Sequence, residues 1–168
     1  MTILNHIESL EAYCERAGAR LVRTMLPREV QGLSGRNLIT LRTGLSPEQE
    51  LLTLVHELTH LLLHRETQDG MERTRFEYEA EAVEALVMQR LGLPHPQCGV
   101  DLDGESPTDN LLPASVTRVI WAGRRICGAL GLDGARPLEA KAAVHLEAAA
   151  GEEIVFEYEH HGVGNFLR

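Results

Sequence analysis

The stretch SPEQELLTLVHELTHLLLHR, Ser46 to Arg65, constrains this chain more than any other. Ser46 suits an N-cap, Pro47 the first helical position, and Glu48 and Glu50 the first turn, so one helix is expected here. Leu51, Leu52, Leu54, Val55, Leu58, Leu61, Leu62 and Leu63 leave that helix little face for water. The polar groups among them therefore need partners. Those groups spell HELTH, His56 to His60. Four residues advance about 6 Å and turn about 40° along a helix, so His56 and His60 share a face, and both imidazoles can reach one ion at about 2.1 Å. Zinc, one ion per chain, is the expected metal. Glu57 turns about 100° away from His56, which places its carboxylate beside such an ion, where a general base belongs. A helix with two surface histidines and a surface glutamate is the plainer alternative, and the surrounding leucines argue against it.

A catalytic zinc site takes three protein ligands and keeps one position open. The third is sought in RFEYEAEAVEALVMQRLG, Arg75 to Gly92, which is helical by pattern. Phe76, Ala80, Val83 and Val87 form its apolar stripe, and Glu77, Glu81 and Glu84 form a second stripe beside it. Glu77 is assigned as third ligand. Glu81, one turn on, is assigned to hold the far ring nitrogen of a ligand histidine. A slip of one turn would exchange the two. Glu79 reads as a solvated flank. His64 lies eight residues, about 12 Å of helix rise, beyond His56 and is expected to hydrogen-bond in the core or near the cleft rim instead of binding the ion.

HELTHLLLH (His56 to His64) followed by EYEAEAVEALVMQRLGLP (Glu77 to Pro94) resembles the ImmA/IrrE family of zinc metallo-endopeptidases, including the peptidase-like part of ArdC-type antirestriction proteins. A Gly-containing turn and the short strand RNLITLR upstream fit the same layout, which spans roughly residues 1 to 130, with the specific motifs between 46 and 94. The resemblance implies a histidine ligand pair at His56 and His60, a general base at Glu57 and a glutamate ligand at Glu77. Family members often carry Asn or Asp where this chain has Glu81, and Gly or Ala where it has Thr59. It also implies a protein substrate. Several relatives are associated with cleaving a helix-turn-helix repressor, so a DNA-binding repressor is the partner that kinship suggests.

With 168 residues, 43% of them hydrophobic, the chain suits one compact domain spanning 1–168. A formal charge of −9 opposes binding to phosphate backbones and argues against direct nucleic-acid binding. Arg118, Arg124 and Arg125 read as a solvated face of the helix after Pro113, opposite Val116, Ile120, Gly123, Cys127 and Leu130. The N-terminal stretch has the pattern of an amphipathic helix and lacks the basic start and apolar core of a signal peptide. No apolar run is long enough for a membrane span. A cytoplasmic location is expected, and Cys14, Cys98 and Cys127 are expected to be reduced.

The fold class expected is α+β and zincin-like: a small twisted β-sheet packed on the HExxH helix and the Glu-bearing helix, with further C-terminal helices. Arg20–Thr24 and Arg36–Arg42 read as strands, separated by a turn region at Gly32–Gly35. The motif-bearing core is expected over 20–131. The substrate cleft would lie between the sheet edge and the HELTH helix, where an extended peptide can pair with an edge strand. Gly92 to Pro113 reads as a solvated loop. A C-terminal helix and strand are expected over 137–160, and Tyr158, His160 and His161 at its end are candidates to stabilise an oxyanion. The function expected is a zinc endopeptidase acting on a regulatory protein. The alternative is a non-proteolytic binding or antirestriction accessory module on the same scaffold, and the presence of Glu57 favours the first. A DNA-binding regulator, lacking a basic face, ranks last.

Overall fold

The structure, a computed structural model, describes residues 2–65, 73–95 and 113–132. Four helices and three strands follow one another in these segments: α1 (Ile3–Arg16), β1 (Arg20–Thr24), β2 (Gly32–Ser34), β3 (Leu38–Arg42), α2 (Pro47–Leu63), α3 (Arg73–Leu91) and α4 (Pro113–Ala129). The architecture is α+β.

The helix starts obey the local chemistry of their sequences. Thr2 and Ser46 each cap a helix through a capping box, with Asn5 and Gln49 returning the bond, and Pro47 opens α2. At the far end of α3, Gly92 adopts φ 70°. Its N–H bonds Gln89 O while the Leu93 N–H bonds Met88 O, so the chain leaves the helix with its last carbonyls satisfied.

The sheet has the order β1-β3-β2, with β1 parallel and β2 antiparallel to the central β3. The expected strand Arg36–Arg42 thus appears as β3, and β1 has the expected bounds. Gly32–Gly35 does not form only a turn. Gly32, Leu33 and Ser34 pair with Leu41, Thr40 and Ile39 as an edge strand. A strand this short between glycines carries no alternation of its own, so only its partner makes it a strand.

Along β3 the residues alternate, and Ile39 and Leu41 are fully buried on the face turned to the helices. α2 is the central element, touching α1, α3, α4, β2 and β3. Leu51, Leu54, Val55 and Leu58 have no exposed surface, as a helix apolar on most sides requires. α1 contributes Ile7, Leu10 and Cys14 to the same core, and α3 contributes Val83, Val87 and Met88. On α4 the buried face is Val116, Val119, Ala122, Ile126 and Cys127, with Leu130 buried just past its end. Ile120, expected inside, is only partly buried, because α4 packs on α3 slightly rotated from the face its apolar residues suggest.

Cys14 and Cys127 are buried, and neither forms a disulfide. Among the described residues no helix is long and apolar enough to cross a membrane. Most of the expected loop, the expected helix and strand over 137–160, and Cys98, Tyr158, His160 and His161 lie outside the described residues.

Candidate metal centre

α2 and α3 pack so that the end of one meets the start of the other: His64 stacks on Phe76, whereas His56 meets Glu84 further along α3. Three ligand atoms converge between the helices. His56 Nε2 lies 3.1 Å from His60 Nε2, and Glu77 Oε2 lies 3.3 Å and 3.6 Å from these two nitrogens. Four ligands placed tetrahedrally about 2.1 Å from a zinc ion stand about 3.4 Å apart, so the three separations match the edges of such a site. Among the described residues His56, His60 and Glu77 are the cluster with the geometry to hold a metal ion. The Glu77 side chain is 44% exposed, against 21% and 14% for the two histidines, so the pocket opens to solvent on the α3 side.

Both far ring nitrogens are engaged. His56 Nδ1 lies 3.2 Å from Glu84 Oε2, and His60 Nδ1 lies 2.9 Å from His64 Nδ1. The position expected for Glu81 is therefore filled by Glu84, while Glu81 sits half-buried on the intervening turn. Because the helices run in opposite directions, His56 faces the part of α3 two turns beyond Glu77 instead of one. A seven-residue step brings a side chain back to within about 20° of the same face, which is why Glu84 shares the stripe with Glu77. Glu84 also lies 3.7 Å from His95 Nε2.

Glu57 is buried, and its carboxylate packs against the backbone of β2. A Cβ on Gly32 would stand 2.7 Å from Glu57 Cγ and 2.8 Å from its Oε1, so only glycine lets the edge strand come this close. Burial pushes the Glu57 pKa up, and the neighbouring charge of His56 and a hydrogen bond from Ser34 only partly offset this. Burial also opposes charge on His56, but the hydrogen bond and charge of Glu84, with Glu57 and Glu77 behind them, prevail and raise its pKa to about 9. His60 moves the other way, lowered by burial and by the charge of His56. Three carboxylates, Glu84, Glu57 and Glu77, thus favour positive charge on His56.

Two further residues depart from the sequence expectation. Glu79 is not a solvated flank: it has no exposed surface, and Ser115, Arg75, Arg118 and His64 all bind it. Arg118 is not part of a solvated face, since it pairs with Glu79 and donates to Leu63 O. Neither pairing leaves a trace in local periodicity. Thr59 is also fully buried and bonds Val55 O, so its side chain points into the core and does not narrow the site.

The sequence profile of the IrrE N-terminal-like domain, a peptidase family, matches residues 14–97. The chain belongs to the ImmA/IrrE family. No curated protein and no solved structure matches it. The match runs from the end of α1 through α3, so every residue of the pocket just described lies inside the family's domain. ImmA/IrrE membership supports a metallopeptidase-type role, and the His-His-Glu cluster is where a metal ion can bind.

Proposed function

We propose that this chain is a zinc-dependent metallo-endopeptidase of zincin-like construction, with His56, His60 and Glu77 as ligands and Glu57 as general base. The observation that carries this is the meeting of His56 Nε2, His60 Nε2 and Glu77 Oε2 at separations of 3.1, 3.3 and 3.6 Å. Two imidazole nitrogens and one carboxylate, with an open side, are the donor set of a catalytic zinc site. A bound zinc ion would supply Lewis acidity, polarising the scissile carbonyl and acidifying a water.

The chain's own residues supply the rest. Glu57 follows the ligand His56 and packs against β2, and burial raises its pKa, which supports it as the proton acceptor. It accepts the proton of the attacking water and later delivers it to the leaving amine. Glu84 holds the His56 ring by its Nδ1. β2 offers the outer edge of the sheet beside Glu57, where an extended substrate can add as a strand through main-chain hydrogen bonds. A module that only held a partner would have no need of a buried carboxylate at this point. The substrate proposed is a regulatory protein, with a helix-turn-helix repressor as first candidate by kinship.

Elemental analysis tests the site. Near one zinc per chain is expected in the wild type, and Glu77→Ala should lose it. Glu57→Gln should keep zinc and abolish cleavage, because it removes the base and no ligand. A wild type that takes up no zinc on addition would end the proposal.

A further inference from the structure

Behind the proposed metal position runs a line of hydrogen bonds that peptide hydrolysis does not itself require. It begins at Glu79, which is fully buried on α3. Glu79 Oε1 accepts from Ser115 Oγ at 2.6 Å and Arg75 Nε at 3.1 Å, and Oε2 lies 3.3 Å from Arg118 Nε. These contacts fix the carboxylate in place. Oε2 also lies 2.8 Å from His64 Nε2. A carboxylate can only accept, so the proton of this contact sits on His64 Nε2. In a singly protonated ring that leaves His64 Nδ1 with a lone pair.

His64 Nδ1 is 2.9 Å from His60 Nδ1. Two ring nitrogens this close need one proton between them, and His60 must provide it. With its proton on Nδ1, His60 presents a lone pair on Nε2, so the proton of its 3.1 Å contact with His56 Nε2 comes from His56, whose Nε2 also faces the accepting Glu77 Oε2 at 3.3 Å. The His64 ring is itself held by stacking on Phe76, with centroids 4.1 Å apart and planes 23° from parallel. The two histidines of HELTH are thus oriented by separate carboxylates. Glu84 acts on His56 directly, and Glu79 reaches His60 only through His64.

We infer that His64, anchored by Glu79, is a positioning residue for His60, fixing the tautomer in which Nε2 is free to bind a divalent cation. In its consequence for metal binding the inference rests on the zinc site proposed above, but the tautomer of His60 is a property of the chain without any ion. Losing an outer partner of this kind weakens metal binding about 10- to 100-fold.

The experiment uses the full chain with zinc removed by chelator, histidines labelled with nitrogen-15, and long-range proton–nitrogen spectra of the rings. His60 in the wild type is expected to carry its proton on Nδ1. His64→Phe keeps a ring against Phe76 but removes the acceptor, so His60 should lose this preference and the zinc affinity, read by chelator competition, should fall about 10- to 100-fold. His64→Asn, whose amide oxygen can accept the same proton, should recover part of both. Glu79→Gln should shift both readouts in the direction of His64→Phe, and it carries the test if that variant does not fold. A folded His64→Phe with wild-type zinc affinity and an unchanged His60 tautomer would overturn the inference. If the wild type binds no zinc, the metal site fails, and the His60 tautomer in wild type and variants alone decides the role of His64.

Discussion

Glu57 shows how much of this pocket depends on one atom that is missing. Its carboxylate and the Thr53 methyl occupy the space where a side chain at position 32 would begin, with Thr53 Cγ2 only 2.6 Å from a Cβ there. Contacts below about 3 Å force a shift, and overpacking of this kind costs about 1–3 kcal/mol. Gly32→Ala is therefore expected to lower stability by that amount in urea unfolding. It should also cut cleavage more than it cuts zinc content, because Glu57 must move and the ligand atoms need not. Full activity at normal stability would show that β2 and Glu57 are not in this contact. Gly32 was legible in the sequence only as a turn residue. Its use as a close-approach site depends on β2 lying across α2, which no local pattern announces.

At the scale of elements, the pair α2 and α3 forms the pocket, and α4 locks it from behind. The lock is Glu79, which bonds within α3 to Arg75, to Ser115 and Arg118 of α4, and to His64 at the end of α2. Despite burial, which opposes ionisation, these partners hold its pKa down to about 2. Removing one member of a buried, hydrogen-bonded charge cluster leaves the others unpaired and costs about 3 kcal/mol or more, less here to the extent that Arg75 and Arg118 regain water. Glu79→Ala is expected to lower the urea midpoint sharply while Glu81→Ala, half-buried on the same helix, does so less. Equal losses would remove Glu79 from its place as the link between helices. The helical spans and most of the apolar stripes were readable from periodicity. The choice among Glu77, Glu79, Glu81 and Glu84 was not, because it depends on how α2 crosses α3 and on what α4 brings.

Across the whole molecule, α1 closes the core with a thiol. Cys14 has no exposed surface, and its pKa is raised from 9.0 to about 11, first by burial and then by the charges of Glu11 and Glu15. A group whose pKa rises on folding adds stability that is complete below its unfolded pKa and is lost as pH rises through the folded one. The window here runs from about 9 to about 11 and is worth about 3 kcal/mol. Stability of the wild type is expected to fall across that window by more than that of Cys14→Ala, whatever other groups titrate there. Parallel stability–pH curves for the two proteins would show that Cys14 is not buried as a thiol.

Two kinds of information divide this protein. Local chemistry sufficed for the start of α2, the bounds of β1, the central burial of α2 and the shared face of His56 and His60, because caps, periodicity and a four-residue step act within a few turns of one chain segment. The family resemblance carried by HELTH and the second helix was legible for the same reason. Only tertiary structure decided that Gly32–Ser34 is a strand, that Glu84 and not Glu81 meets His56, and that Glu79 is buried among arginines. Each of these turns on which face of one element meets another, and the free energy of that meeting is shared between residues far apart in sequence, so neither segment alone encodes it.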